Sequence, residues 1–188
     1  AIAEQEDAPA LIGQALAALN DALAGPAHTM VRRDNADTII ELAVTAGDRS
    51  LELLGYRFRI VADLEAGDFA AVDRDITAFT RLAEALRQPL ISWYVPVFRG
   101  MRALLRGDLD GAERFHREVA AAAATTGSIN AALMASVLRL PIETARGVQP
   151  DIEAFDRLLD GSRPVAGEDR RPIGPTSPER RRDLPVDK

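Results

Sequence analysis

Between residues 8 and 160, apolar residues return every three to four positions, and each run of returns stops at a short polar phrase holding Gly, Asp or Pro. In 49–66, Leu51, Leu54, Phe58, Val61 and Leu64 fall on one side of a helical wheel, as a helix with one buried face requires. The same pattern predicts helices over 8–24, 35–46, 49–66, 69–87, 90–106, 109–125, 129–146 and 151–160. Sustained apolar–polar alternation is absent, as is an Asn-Gly turn between β-branched runs, so no strands are expected. The pattern describes an all-α chain.

The helices also repeat. The phrases "EAGDFAAV" (65–72), "LRGDLDGA" (105–112) and "ARGVQPDI" (145–152) place Gly67, Gly107 and Gly147 forty residues apart. Arg59, Arg99 and Arg139 keep that spacing, eight residues before each glycine. The first two copies further match Asp68 with Asp108, Phe69 with Leu109 and Arg74 with Arg114. A Gly closes one helix in the left-handed conformation, and the Asp that follows caps the next. Each forty-residue unit therefore reads as a helical hairpin, and about three and a half of them fill residues 1–160. Residues 161–188, rich in Pro and Arg, read as a flexible tail.

Composition narrows the function classes. The chain has 188 residues, a net charge of −6 and no Cys. Disulfides and thiolate metal sites are excluded, and the only two histidines, His28 and His116, lie far apart in the sequence, so no metal or other cofactor is expected. The tail carries seven basic and five acidic side chains, leaving the first 160 residues near −8. Such an acidic body argues against direct nucleic-acid binding. No apolar run spans a bilayer and the start lacks the order of a signal peptide, so a cytoplasmic protein without membrane contact is expected. The first residues read like the middle of a helix, as in a piece of a longer protein.

The stretches "AGDRSLELLGYRFRIVADLEAGDFAAV" and "RQPLISWYVPVFRGMRALLRGDLDGAERF" resemble the tetratricopeptide-type helical arrays of large actinobacterial regulators, as does "AGPAHTMVRRDNADTIIELA" (24–43). The resemblance covers about residues 8–147. It implies a right-handed solenoid of antiparallel hairpins, with the forty-residue unit in place of the usual shorter one. It also implies attachment to a signalling ATPase, a cyclase or a DNA-binding domain. No Gly-x-x-x-x-Gly-Lys-Ser/Thr loop and no basic helix-turn-helix reader occurs here, so such activities would belong to other domains.

Two groups of residues are candidates for a binding groove. Trp93 and Tyr94 head the most aromatic helix, either as packing knobs between hairpins or as the wall of a groove. Arg59, Arg99 and Arg139 occupy one repeat position, and Arg102 and Arg106 extend that stripe. They read either as a cationic groove for carboxylates or as internal partners of Asp63, Asp73, Glu84 and Glu113. Pro96 and Pro141 interrupt first helices and free the carbonyls of Ser92 and Val137. No nucleophile elbow occurs and no catalytic residue is assigned. The Ala-rich run 119–127 reads as a close helix contact. The sequence thus points to a non-catalytic protein-interaction or regulatory sensor module, with a homo-oligomer compatible. The alternative is a small-molecule effector receptor built around Trp93 and Arg99.

Overall fold

The computed structural model describes residues 8–162. The described residues form helices α1 (Ala8–Ala22), α2 (Thr29–Ala46), α3 (Arg49–Ala66), α4 (Phe69–Leu86), α5 (Pro89–Ser92), α6 (Tyr94–Leu105), α7 (Leu109–Thr126), α8 (Ile129–Ala145) and α9 (Ile152–Ser162), with a 3₁₀ turn at Pro26–His28. No strand occurs among them. Residues 163–188, which hold nearly all of the expected tail, lie outside the described residues.

Two boundaries differ from the sequence pattern. Helix α2 starts at Thr29 and not at 35, because its first turns turn Arg32 and Arg33 toward the neighbouring helix. Arg32 is buried against Glu65 and Arg33 reaches Asp63, so paired charges replace the apolar positions that would have marked a buried face. The predicted helix 90–106 is divided at Trp93. Pro96, in the first turn of α6, has no N–H for the carbonyl one turn earlier, and the helix breaks there. Pro141, by contrast, lies inside the unbroken α8.

The hinges show a finer period than the repeat read from sequence. Gly47, Gly67, Arg87, Gly107, Gly127 and Gly147 all have positive φ, one every twenty residues. Asp48, Asp68, Asp108 and Ser128 follow as N-caps, each accepting backbone N–H bonds from the first turn of the next helix. The hinges thus stand at half the forty-residue spacing expected from the sequence. The hinge at 87–88 departs from this rule twice. Arg87 holds φ 49 with a Cβ, and Gln88 makes no side-chain cap. The strain of a non-Gly residue there and the missing cap are each worth about 1 kcal/mol. Because both side chains are exposed, the variant Arg87→Gly/Gln88→Asp should raise the melting temperature by roughly 4–8 °C. Differential scanning calorimetry checks this.

The core is a chain of local clusters, each shared by successive helices. Ala17, Ala36, Ile39, Leu51 and Phe58 join α1, α2 and α3. Leu53, Ile60, Val72, Phe79 and Phe98 join α3, α4 and α6. Trp93, Val97, Val119, Ala123, Ala131 and Ala135 join the turn before α6 to α7 and α8. Ala103, Ala112, Leu138 and Ile142 continue it through α6, α7 and α8. The Ala faces of α7 and α8 leave the space that the Trp93 ring fills, which is the close contact expected of the run 119–127. Gly100 serves the same end: a Cβ there would stand 2.6 Å from Leu138 Cδ2, so α6 and α8 meet closely.

Candidate functional site

Residues of α3, α6 and α8 that stand forty apart in the sequence line one groove. Counting by forty, the columns are Arg57/Val97/Val137, Phe58/Phe98/Leu138 and Val61/Met101/Pro141. The groove consists of two adjoining open cavities that share Val97, Met101 and Met134. The first, of about 510 Å³, lies beside Trp93 and Tyr94 and is closed at one end by Asn20 and Asp21 of α1 and Arg32 of α2. The second, of about 520 Å³, is lined by apolar side chains apart from Glu65. Leu105 and Val137 stand exposed in it, 56% and 43% accessible.

The polar groups gather at the Trp93 end. Arg57 donates to the Tyr94 hydroxyl at 3.3 Å and to the Asp21 carboxylate at 3.5 Å, both long bonds. Its guanidinium also lies 4.5 Å above the Phe58 ring. Arg32 donates to the Glu65 carboxylate and to the Gly25 carbonyl. Asn20 donates to the Arg32 carbonyl and accepts from Asn35. Three N–H groups on groove-lining side chains are buried without an acceptor: Arg32 Nε, Arg57 Nε and Trp93 Nε1. Burying a donor unpaired costs stability, so three on side chains that line one cavity call for an explanation.

Of the residues expected in the groove, the structure brings Trp93 and Tyr94 to it. Trp93 is only 4% exposed and belongs to the core, while its ring stacks on Tyr94 at 3.8 Å. Packing knob and groove wall are thus one residue's two faces. The arginines go elsewhere. Arg59 is clamped by Asp75 through two bonds of 2.6 and 2.8 Å and by Asp37 at 2.7 Å, which holds its guanidinium further above the usual arginine range. Arg102 makes a two-bond contact with Asp73, joined by Arg106. Arg99 reaches only Thr80, at 3.5 Å, and Arg139 pairs with Glu143. None of Arg59, Arg99, Arg102 and Arg139 lines either groove cavity. The reason is angular: on a helix, position 59 lies about 200° round from position 57. Internal pairing holds for Arg59, Arg102, Arg106 and Arg139, but of the expected partners only Asp73 is used: Asp63 goes to Arg33 and Glu113 to Arg146, while Asp75, Asp37 and Glu143 take their places.

The sequence does not single out Arg57, because its column reads Arg, Val, Val, without the repetition seen at 59, 99 and 139. A lone charge in an otherwise apolar column was the available signal.

Two carboxylates away from the groove titrate abnormally, in opposite directions. Arg102 holds Asp73 below the usual carboxylate range through its hydrogen bonds. Burial pushes Asp63 up, with Arg33 opposing. Asp63 is fully buried, and although Arg33 Nε stands 2.8 Å away, neither of its oxygens has a well-formed hydrogen bond. A raised folded-state pKa means that the ionised form costs stability above the unfolded value and that acidification through the folded value relieves it. Asp63→Asn should therefore be at least as stable as the parent at pH 7. Its advantage should shrink as pH falls through the raised value, measured by urea melts at stepped pH. An advantage growing on acidification would contradict this.

Among the described residues, no group of three or more His, Asp or Glu side chains could hold a metal ion, and no helix is long and apolar enough to cross a membrane. In comparisons with known proteins, no family model and no curated protein sequence matches the chain.

Proposed function

We propose that this chain is a binding module without chemistry of its own: a tetratricopeptide-like right-handed array of antiparallel hairpins that serves as a cytoplasmic interaction or sensor region of a larger signalling or transcriptional regulator. The observation that carries the proposal is the groove itself. Equivalent positions of α3, α6 and α8 line it, as the first helices of stacked hairpins line the inner face of a repeat array. Its lining suits recognition better than reaction. One of the two cavities is lined by apolar side chains apart from Glu65, which offers contact surface and few groups that could react. The exposed Leu11, Ile12 and Leu19 on α1 add an apolar end face, which suits packing against attached domains, a protein partner or a second copy.

A second reading, a receptor for a small-molecule effector, draws on the cavity beside Trp93. Its volume falls within the range of about 300–1,000 Å³ that small-molecule sites occupy, and its few polar groups are gathered at one end. The receptor's cation would then be Arg57 and not Arg99.

The uncharged dye Nile red tests the groove. The parent should bind it saturably, and Leu105→Glu and Val137→Glu should each weaken binding at least tenfold, since both side chains are exposed and their replacement leaves the core alone. Val44→Glu, on the exposed side of α2, should bind as the parent does. Groove variants that bind like the parent would place the recognition surface elsewhere.

A further inference from the structure

The geometry points to an amphiphile with one apolar chain and a carboxylate head as the occupant of the groove, the head beside Arg57 and the chain along Met101 and Met134. This rests on the reading of the groove as the recognition surface.

Three observations lead to the head group. The unpaired buried donors, Arg32 Nε, Arg57 Nε and Trp93 Nε1, belong to side chains around one cavity, and what each lacks is an acceptor. Arg57 has no short hydrogen bond, and its guanidinium rests on the Phe58 and Tyr94 rings, 4.5 and 5.8 Å from their centroids. Its bonds to Tyr94 and Asp21 are 3.3 and 3.5 Å, and Asp21 is 70% exposed, so water can replace the guanidinium as its partner. Arg59, two residues on, shows the contrast, with three bonds of 2.6 to 2.8 Å to two carboxylates. A guanidinium that can leave its long contacts and turn toward an arriving carboxylate offers two parallel N–H bonds. Turned in this way, the Arg57 guanidinium gives its buried, unpaired Nε–H the acceptor that it lacks.

The rest of the groove describes the remainder of the ligand. The second cavity presents Leu104, Leu105, Val137 and Pro141, with Glu65 its single charged side chain. Its one carboxylate, Glu65, is engaged by Arg32 and Thr29. Met101 and Met134, shared by both cavities, are flexible side chains that adapt to a chain of variable length. Cavities of about 510 and 520 Å³ fall in the range that small-molecule sites occupy.

The chain supplies its own reporter, since Trp93 is its only tryptophan and lines the first cavity. Dodecanoate, dodecanol and dodecyltrimethylammonium would be titrated below their micelle concentrations against Trp93 emission. Dodecanoate should bind saturably, about tenfold tighter than dodecanol, with the ammonium weakest. Arg57→Gln should lower dodecanoate affinity to the dodecanol level and leave dodecanol unchanged, while Arg57→Lys should retain part of the preference. Asp21→Asn, which removes the competing carboxylate, should tighten dodecanoate, a gain that a merely structural role would not produce. Equal binding of acid and alcohol, or an Arg57→Gln variant that keeps the preference, overturns the proposal. Binding of Nile red without dodecanoate also overturns it, leaves the groove reading standing and turns attention to a peptide occupant. Failure of both probes removes the groove reading too.

Discussion

Trp93→Ala should destabilise the chain by about 3–5 kcal/mol, more than any other single truncation near the groove. The indole is 4% exposed and packs on Val97, Val119, Ala123, Ala131 and Ala135, so its removal leaves a cavity where three helices meet. The surrounding side chains are mostly alanines, too short to collapse into the space. A loss of that size lowers the melting temperature by roughly 6–20 °C for a chain of this length. Urea unfolding would show the midpoint falling with the slope unchanged. Trp93→Phe, which keeps a ring and deletes the unpaired Nε1–H, should lose less than half as much. A Trp93→Ala variant within 1 kcal/mol of the parent would mean that the ring stands free in the groove and carries no packing role.

The second large effect belongs to the clamp that ties three helices together. Arg59 of α3 bonds Asp37 of α2 and Asp75 of α4, and Asp75 is 6% exposed. Asp75→Ala leaves a partly buried guanidinium with one exposed partner, and should cost about 3 kcal/mol. Replacing both members with apolar side chains of similar size, Arg59→Met with Asp75→Leu, should bring most of that back, because desolvation of the two charges offsets much of their attraction. A double-mutant cycle by chemical unfolding separates the two. If Asp75→Ala alone were neutral, the clamp would contribute no more than an exposed surface pair.

How much of this was legible in the sequence differs from element to element. The hinges were plain, because only a few residues suit a left-handed cap followed by an N-cap, and Gly67-Asp68 and Gly107-Asp108 state both. The halving of the period was hidden by the one hinge that breaks the rule, Arg87-Gln88. The start of α2 was hidden by the buried Arg32 and the half-buried Arg33, whose partners Glu65 and Asp63 lie some thirty residues away.

The groove was half legible. Trp93 stood out by rarity, but the arginines of positions 59, 99 and 139 were chosen for repeating, and repetition marks a shared place in the packing as readily as a shared ligand. Their partner columns make the point. Opposite position 59 stand Asp37 and Asp75, while forty residues on the same columns hold Thr77 and Phe115. Only the first copy can close the clamp. Arg57 broke its own column, and a residue that breaks an apolar column facing a groove is the better candidate for recognition.

The claim that equivalent faces of α3, α6 and α8 form the recognition surface can be tested with the three methionines of the chain. Met101 and Met134 line both groove cavities, and Met30, 57% exposed on α2, lines neither. The measurement is a methyl-resolved NMR titration of the selectively labelled chain with Nile red. The account predicts that the Met101 and Met134 methyl signals shift together and saturate at one dye per chain, with Met30 unmoved. Saturable binding that moves Met30, or that leaves Met101 and Met134 in place, would contradict it.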